Sequence, residues 1–133
     1  MNKKLLVVLI VVITQPVFGK VINQNNKFKI RCGWFDNPTP GNMTLHDKEG
    51  EWIIGIQGGY QVAGDWNWPK FKEAQWVMTN GPHGHGCACF KMKANKHSFK
   101  VLQIKRTWAK PLEACRKDKA LKKWAYAFPS TTR

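Results

Sequence analysis

Apolar and polar positions alternate with a two-residue period over Phe28, Ile30, Cys32 and Trp34, with Lys29, Arg31 and Gly33 between them, which predicts a half-buried strand. Asp36-Asn37-Pro38-Thr39-Pro40-Gly41-Asn42 is expected to end it, because two prolines and a glycine cannot continue a sheet ladder. Alternation returns in Glu51–Gln57 through Trp52, Ile54 and Ile56. A long glycine- and tryptophan-rich loop follows, then a strand over Gln75–Thr79 and a second glycine-rich connection, Asn80–Gly86. Cys87–Lys93 places Ala88, Phe90 and Met92 on one face and Cys87, Cys89, Lys91 and Lys93 on the other. Ala94-Asn95-Lys96-His97 predicts a hairpin turn, with Phe99–Thr107 as the returning strand. From Pro111 the period lengthens: Leu112, Cys115, Leu121 and Trp124 recur at helical spacing, and Asp118 is placed to cap a second turn. The pattern predicts an α+β domain over residues 20–124, with a small antiparallel β-sheet of about five strands, a C-terminal helix and a flexible tail over 125–133.

The first residues follow a different rule. Lys3 and Lys4 precede an unbroken apolar run from Leu5 to Ile13, and Thr14-Gln15-Pro16 then breaks it ahead of the small residue Gly19. This is the pattern of a secretory signal peptide over residues 1–19, cut after Gly19. The run is far shorter than the roughly 20 residues that span a bilayer, and no second one follows, so no transmembrane segment is expected after signal removal. Export changes how the four cysteines read. Cys32, Cys87, Cys89 and Cys115 form an even set, which in an oxidising compartment favours two disulfides. A Cys87 to Cys89 bridge is disfavoured because side chains two apart on a strand point the same way. Cys32 is therefore expected to take one of these two cysteines and Cys115 the other.

Charge is large and uneven. The chain carries a formal +14, and loss of Lys3 and Lys4 with the leader leaves +12. Residues 91–133 hold thirteen basic and two acidic side chains, so nearly all of the excess lies on the last hairpin and helix. Lys91, Lys93, Lys105, Arg106, Arg116, Lys117, Lys122 and Lys123 are candidate polyanion contacts, for an anionic cell-envelope polymer such as lipopolysaccharide or an acidic wall polymer. The competing reading has the lysines solvating a hairpin edge and a helix back. Export argues against nucleic acid as the physiological partner.

Trp66-Asn67-Trp68-Pro69, near Tyr60 and Asp65, puts flat rings among hydrogen-bonding side chains in a loop, a combination that suits sugars or peptides. Tyr60, Asp65, Trp66 and Trp68 are the candidate ligand-binding residues, against the alternative that the rings roof a small core. His83, His85, Cys87 and Cys89 alternate as soft metal ligands, but cysteines that pair in disulfides cannot serve, so neither metal nor other cofactor is assigned. There is no Gly-x-Ser-x-Gly, no His-Glu-x-x-His, no phosphate loop and no Cys-x-x-Cys, and no catalytic residue is assigned.

Arg31-Cys32-Gly33-Trp34-Phe35-Asp36-Asn37-Pro38-Thr39-Pro40-Gly41-Asn42, with Ile56-Gln57-Gly58-Gly59, Thr79-Asn80-Gly81, Gly86-Cys87-Ala88-Cys89 and Pro111-Leu112-x-x-Cys115-Arg116, resembles a family of small exported bacterial proteins classed as a domain of unknown function. The resemblance spans about residues 30–118 and leaves Lys119–Arg133 outside. It implies a signal peptide and a four-cysteine framework, and it brings no catalytic residues. The reading that follows is a non-enzymatic binding or inhibitory module, periplasmic or secreted, whose partner is an anionic envelope polymer or an envelope protein. An inhibitor of a wall-cleaving enzyme meets the objection that such enzymes are usually basic and a +12 chain would repel them. The alternative is a small secreted hydrolase or toxin whose acid-base pair joins Asp36 or Asp65 to His83 or His85.

Overall fold

A computed structural model describes residues 11–13 and 26–130, so apart from Val11–Ile13 the expected leader lies outside the described residues. Six strands follow in chain order: β1 Lys29–Thr39, β2 Asn42–His46, β3 Glu51–Gly55, β4 Trp76–Asn80, β5 His83–Asn95 and β6 Lys100–Lys110. β1 pairs antiparallel with β2 on one edge and with β5 on the other. β2 continues to β3, and β5 to β6. A parallel contact between β3 and β6 then closes the ring β1-β2-β3-β6-β5 into a barrel. β4 stays outside the ring and extends the edge of β5 over His83–Gly86. The sheet-dominated fold expected from the periodicity is present, with six strands in a mixed sheet.

The closing seam is narrow. Ile53 and Lys100 form its one register pair, and the Ile53 N–H donates to the Phe99 carbonyl at 2.7 Å. Phe99 adopts a left-handed backbone, φ 54°, which drops its ring onto Trp52 at 4.8 Å. Inside the barrel, alternate residues fill the space: Phe35, Leu45, Trp52, Ile54, Phe90 and Val101 are fully buried. Each such side chain stabilises the fold by about 1.5–3 kcal/mol.

The sequence pattern misplaces the faces of β1. Phe35 and Gly33 point inward, whereas Ile30 is 61% exposed and Cys32 lies on the surface. Arg31 is buried because Asp47 at 2.9 Å and Glu49 at 3.2 Å neutralise it, and its guanidinium lies 3.8 Å from the Trp52 ring centroid. Trp34, on the outer face, is covered instead by the C-terminal segment. There α1 Leu112–Arg116 and the 3-10 helix Lys119–Trp124 contribute Cys115 and Leu121 to a second cluster with Trp34 and Cys87. Asp118 caps the 3-10 helix as expected, accepting from the Ala120 N–H at 2.9 Å. Phe128 lies in the segment expected to be a flexible tail, yet it is only 4% exposed and stacks on Trp34 at 5.2 Å.

Two disulfides connect these layers. Cys32 and Cys89 are register partners on β1 and β5 and are bonded to each other. Cys87 is bonded to Cys115 and ties α1 to the barrel. No helix among the described residues is long and apolar enough to cross a membrane.

Candidate functional site

The connection from β3 to β4 has little regular structure, and its conformation is fixed by contacts to the barrel. Thr107 on β6 donates its hydroxyl to the Asn67 carbonyl at 2.6 Å. The Lys72 N–H donates to the Gln75 side chain at 2.9 Å, setting the 3-10 turn Glu73–Gln75. Phe71 packs parallel to Phe35, at 6.2 Å, and against Trp76 at 4.9 Å. Gly86 makes room for it, since a Cβ there would come within 2.5 Å of the Phe71 ring.

The two tryptophans of this loop differ in role. Trp66 is half-buried and packs on Phe90, roofing the barrel. Trp68 lies parallel to Trp66 at 6.2 Å and meets Phe35 edge-to-face at 5.0 Å, but keeps 43% of its surface exposed. Two clefts meet at Trp68 and Lys72. One, of about 410 Å³, is lined by Trp68, Pro69, Phe71, Trp76, Met78 and Pro82, with the charged Lys72 and Glu73. The other, of about 540 Å³, is lined chiefly by Asn67, Trp68, Lys70, Lys72, Gln75 and Trp108. Both volumes fall within the range of about 300–1,000 Å³ usual for small-molecule sites.

Of the four residues expected to bind ligand, only Trp68 lines these clefts. Asp65 is exposed in the loop. Tyr60 lies at the barrel seam, donating its hydroxyl to the Val101 carbonyl at 2.5 Å beneath the Lys100 ammonium. Phe71, Trp76, Met78, Lys70 and Lys72 were not anticipated. The aromatic run Trp66, Trp68 and Phe71 ahead of Trp76 was the available signal, but nothing in the sequence folds the Trp76 strand against the loop.

The candidate polyanion residues fall into two groups. Lys91 and Arg106 are register partners on β5 and β6, and Lys93 and Lys105 both lie over the Phe28 ring, at 4.7 and 5.5 Å. Arg116 and Lys117 pair with Glu113, Lys123 donates to the Lys48 carbonyl at 2.7 Å, and Lys122 is exposed on the C-terminal segment.

A second polar cluster occupies the outer face beneath Phe128. Asp36 on β1 is the register partner of Thr44 on β2 and of His85 on β5. Burial, with Glu51 nearby, pushes Asp36 up to about 6. Burial pushes His85 down to about 4, with a further contribution from the Arg116 charge, and burial alone does the same to His46. The His46 and His85 rings lie 5.0 and 4.9 Å from Phe128. His46 Nε2 meets the Thr44 hydroxyl at 2.9 Å, while its buried Nδ1 has no partner among the described residues. His83 is used differently: its Nδ1 hydrogen-bonds Asn37 Oδ1 at 2.7 Å, and Asn37 also donates to the Thr39 and Asn42 carbonyls, fixing the β1–β2 turn. No hydrogen bond or ion pair among the described residues joins Asp65 to either histidine. Cys87 and Cys89 are both consumed in disulfides, so His83 and His85 have no thiolate beside them.

Neither a curated protein nor a solved structure matches the chain. One family model does, over residues 26–122, a span that holds the barrel, both disulfides and the Trp68 clefts but stops before Phe128. The chain belongs to the DUF4087 family, described as a protein of unknown function.

Proposed function

We propose that this protein is a non-enzymatic binding module of the bacterial cell envelope, which captures an anionic envelope component through the surface around Trp68. Two disulfides suit an oxidising compartment outside the cytoplasm. The observation that carries the reading is the position of Trp68. The ring is held by Phe35 and Trp66 while its exposed surface stands where two clefts meet, one of them bearing both Lys70 and Lys72. An indole fixed in this way offers flat apolar area at little entropic cost, with directional donors beside it. Titrating the protein with purified acidic envelope polysaccharide tests the reading. Trp68→Ala is expected to weaken binding at least about tenfold with the fold intact, and added salt to weaken it further. Unchanged affinity in Trp68→Ala would remove the site.

A second reading, a small hydrolase, is favoured by one observation: Asp36 and His85 are side by side, with pKa values displaced in opposite directions. Phe128 covers this face. Phe128→Ala should then reveal hydrolysis of envelope glycan or peptide that Asp36→Asn abolishes, and inactivity of Phe128→Ala discards the reading.

A further inference from the structure

The two clefts at Trp68 are unlike in chemistry. The smaller is walled mainly by Trp68, Pro69, Phe71, Trp76, Met78 and Pro82, with Lys72 and Glu73 its charged lining residues, and the Trp76 indole N–H is already given to the Pro82 carbonyl at 3.1 Å. Sugar hydroxyls pressed against the apolar part of that wall would lose hydrogen bonds to water without replacement. An alkyl chain loses nothing there. Met78, 70% exposed beside the cleft, carries an unbranched thioether that adapts to the shape of what it covers. The larger cleft is more polar, setting Asn67 and Gln75 amides and the ammonium groups of Lys70 and Lys72 beside Trp68 and Trp108. Neither lysine forms an ion pair among the described residues. Glu73 is the one acidic residue lining either cleft, and it belongs to the apolar one.

We infer that the Trp68 site takes an acidic glycolipid, with an alkyl chain in the apolar cleft and the acidic sugar stacked beside Trp68 against Lys70 and Lys72. This rests on the binding reading above and names its ligand class. The charge complementarity is local, from two lysines without ion pairs beside an apolar cleft, and the +12 of the processed chain as a whole, these two included, favours approach of an anion.

Three probes used as monomers separate head from chain: octyl glucuronide, methyl glucuronide and octyl glucoside, each titrated against the full exported chain by tryptophan fluorescence. Octyl glucuronide is expected to bind at least about tenfold more tightly than either of the others. Lys70→Gln/Lys72→Gln should erase its advantage over octyl glucoside, and Met78→Asp should cut its advantage over methyl glucuronide. All three side chains are exposed, so these variants should keep the fold. If methyl glucuronide binds as tightly as octyl glucuronide in a Trp68-dependent way, the glycolipid inference falls and the binding reading stands. Equal binding of octyl glucoside and octyl glucuronide overturns the acidic head. If no probe binds in a Trp68-dependent way, the inference fails, and the polysaccharide titration decides separately whether the parent reading fails with it.

Discussion

Asp36 and His85 face one another across β1 and β5 in a setting that disfavours charge on both. The folded Asp36 holds its proton up to about pH 6 against an ordinary value of 3.8, so between these values the folded chain binds a proton that the unfolded chain has released. Asp36 therefore lowers stability as pH rises through that window and adds no further change above it. His46 and His85 act in the reverse sense. Their folded values near 4 lie below the ordinary 6.5, so the unfolded chain binds protons the folded one refuses, and stability is lost as pH falls from 6.5 toward 4. Two histidines outweigh one carboxyl, and the protein should be less stable at pH 4.5 than at pH 6.5. Asp36→Asn mimics the protonated acid. Its melting temperature should exceed that of the parent at neutral pH, with the gain shrinking as pH falls from 6 toward 4. Melts across this range check it, and a gain independent of pH would show that Asp36 titrates normally.

Within the β3–β4 connection, the neighbouring tryptophans should separate stability from recognition. Trp66→Ala removes the roof over Phe90 and is expected to cost about 2–3 kcal/mol, below the 3–5 of a fully buried aromatic because Trp66 is half-buried. Trp68→Ala should cost less, about 1–2 kcal/mol, since Trp68 touches Phe35 and Trp66 but keeps 43% of its surface exposed. Urea denaturation of both variants decides, and the reverse order would make Trp68 a core residue. The tryptophan pair was legible in the sequence, but this division of labour was not, because it depends on what Phe35 and Phe90 present from strands far away in the chain. The same limit explains the missed parts of the fold. Strand β3 and the second half of β5 follow plain alternation and could be read directly, whereas the register shifts against β5 put Val101 and Ile104 of β6, three apart, both in the core. The chain from Asp36 to His46 could not be read directly. β1 runs on through Pro38 because the β1–β5 ladder ends at Asn37 and the β1–β2 register shifts between Asp36 and Thr39, so the missing N–H breaks no bond. His83-Gly84-His85-Gly86 reads as a loop by composition but begins β5, since Gly84 lets the Val77 carbonyl of β4 lie where a side chain would stand. The pairing of cysteines was legible only to the level of two alternatives, because Cys87 and Cys89 share a face and tertiary folding alone selects the nearer partner of each.

Across the whole molecule, covalent links compensate for a barrel that closes through one register pair and for a C-terminal segment with little regular structure. The two disulfides do this differently. Cys32–Cys89 closes a loop of sequence separation 57 and Cys87–Cys115 one of 28, a ratio near two that corresponds to only about 0.6 kcal/mol in chain entropy. Each should contribute about 2–4 kcal/mol, so magnitude alone will hardly distinguish them. Location will. Cys32–Cys89 lies within the long β1–β5 ladder, and replacing both cysteines by serine should lower global stability without releasing any one element. Cys87–Cys115 is the covalent hold on α1 and on the cluster of Trp34, Leu121 and Phe128. Its removal should let residues 112–128 open without unfolding the barrel, and amide exchange in that segment should rise well above exchange in β5. Opening uncovers His46 and His85, so their pKa values should move up toward 6.5 in that variant and stay near 4 in the Cys32/Cys89 variant. Histidine titration by NMR, run beside hydrogen exchange, reads both effects. If both variants lose protection evenly and leave the histidines unchanged, the C-terminal segment is held by its apolar contacts and the Cys87–Cys115 link is dispensable for that docking.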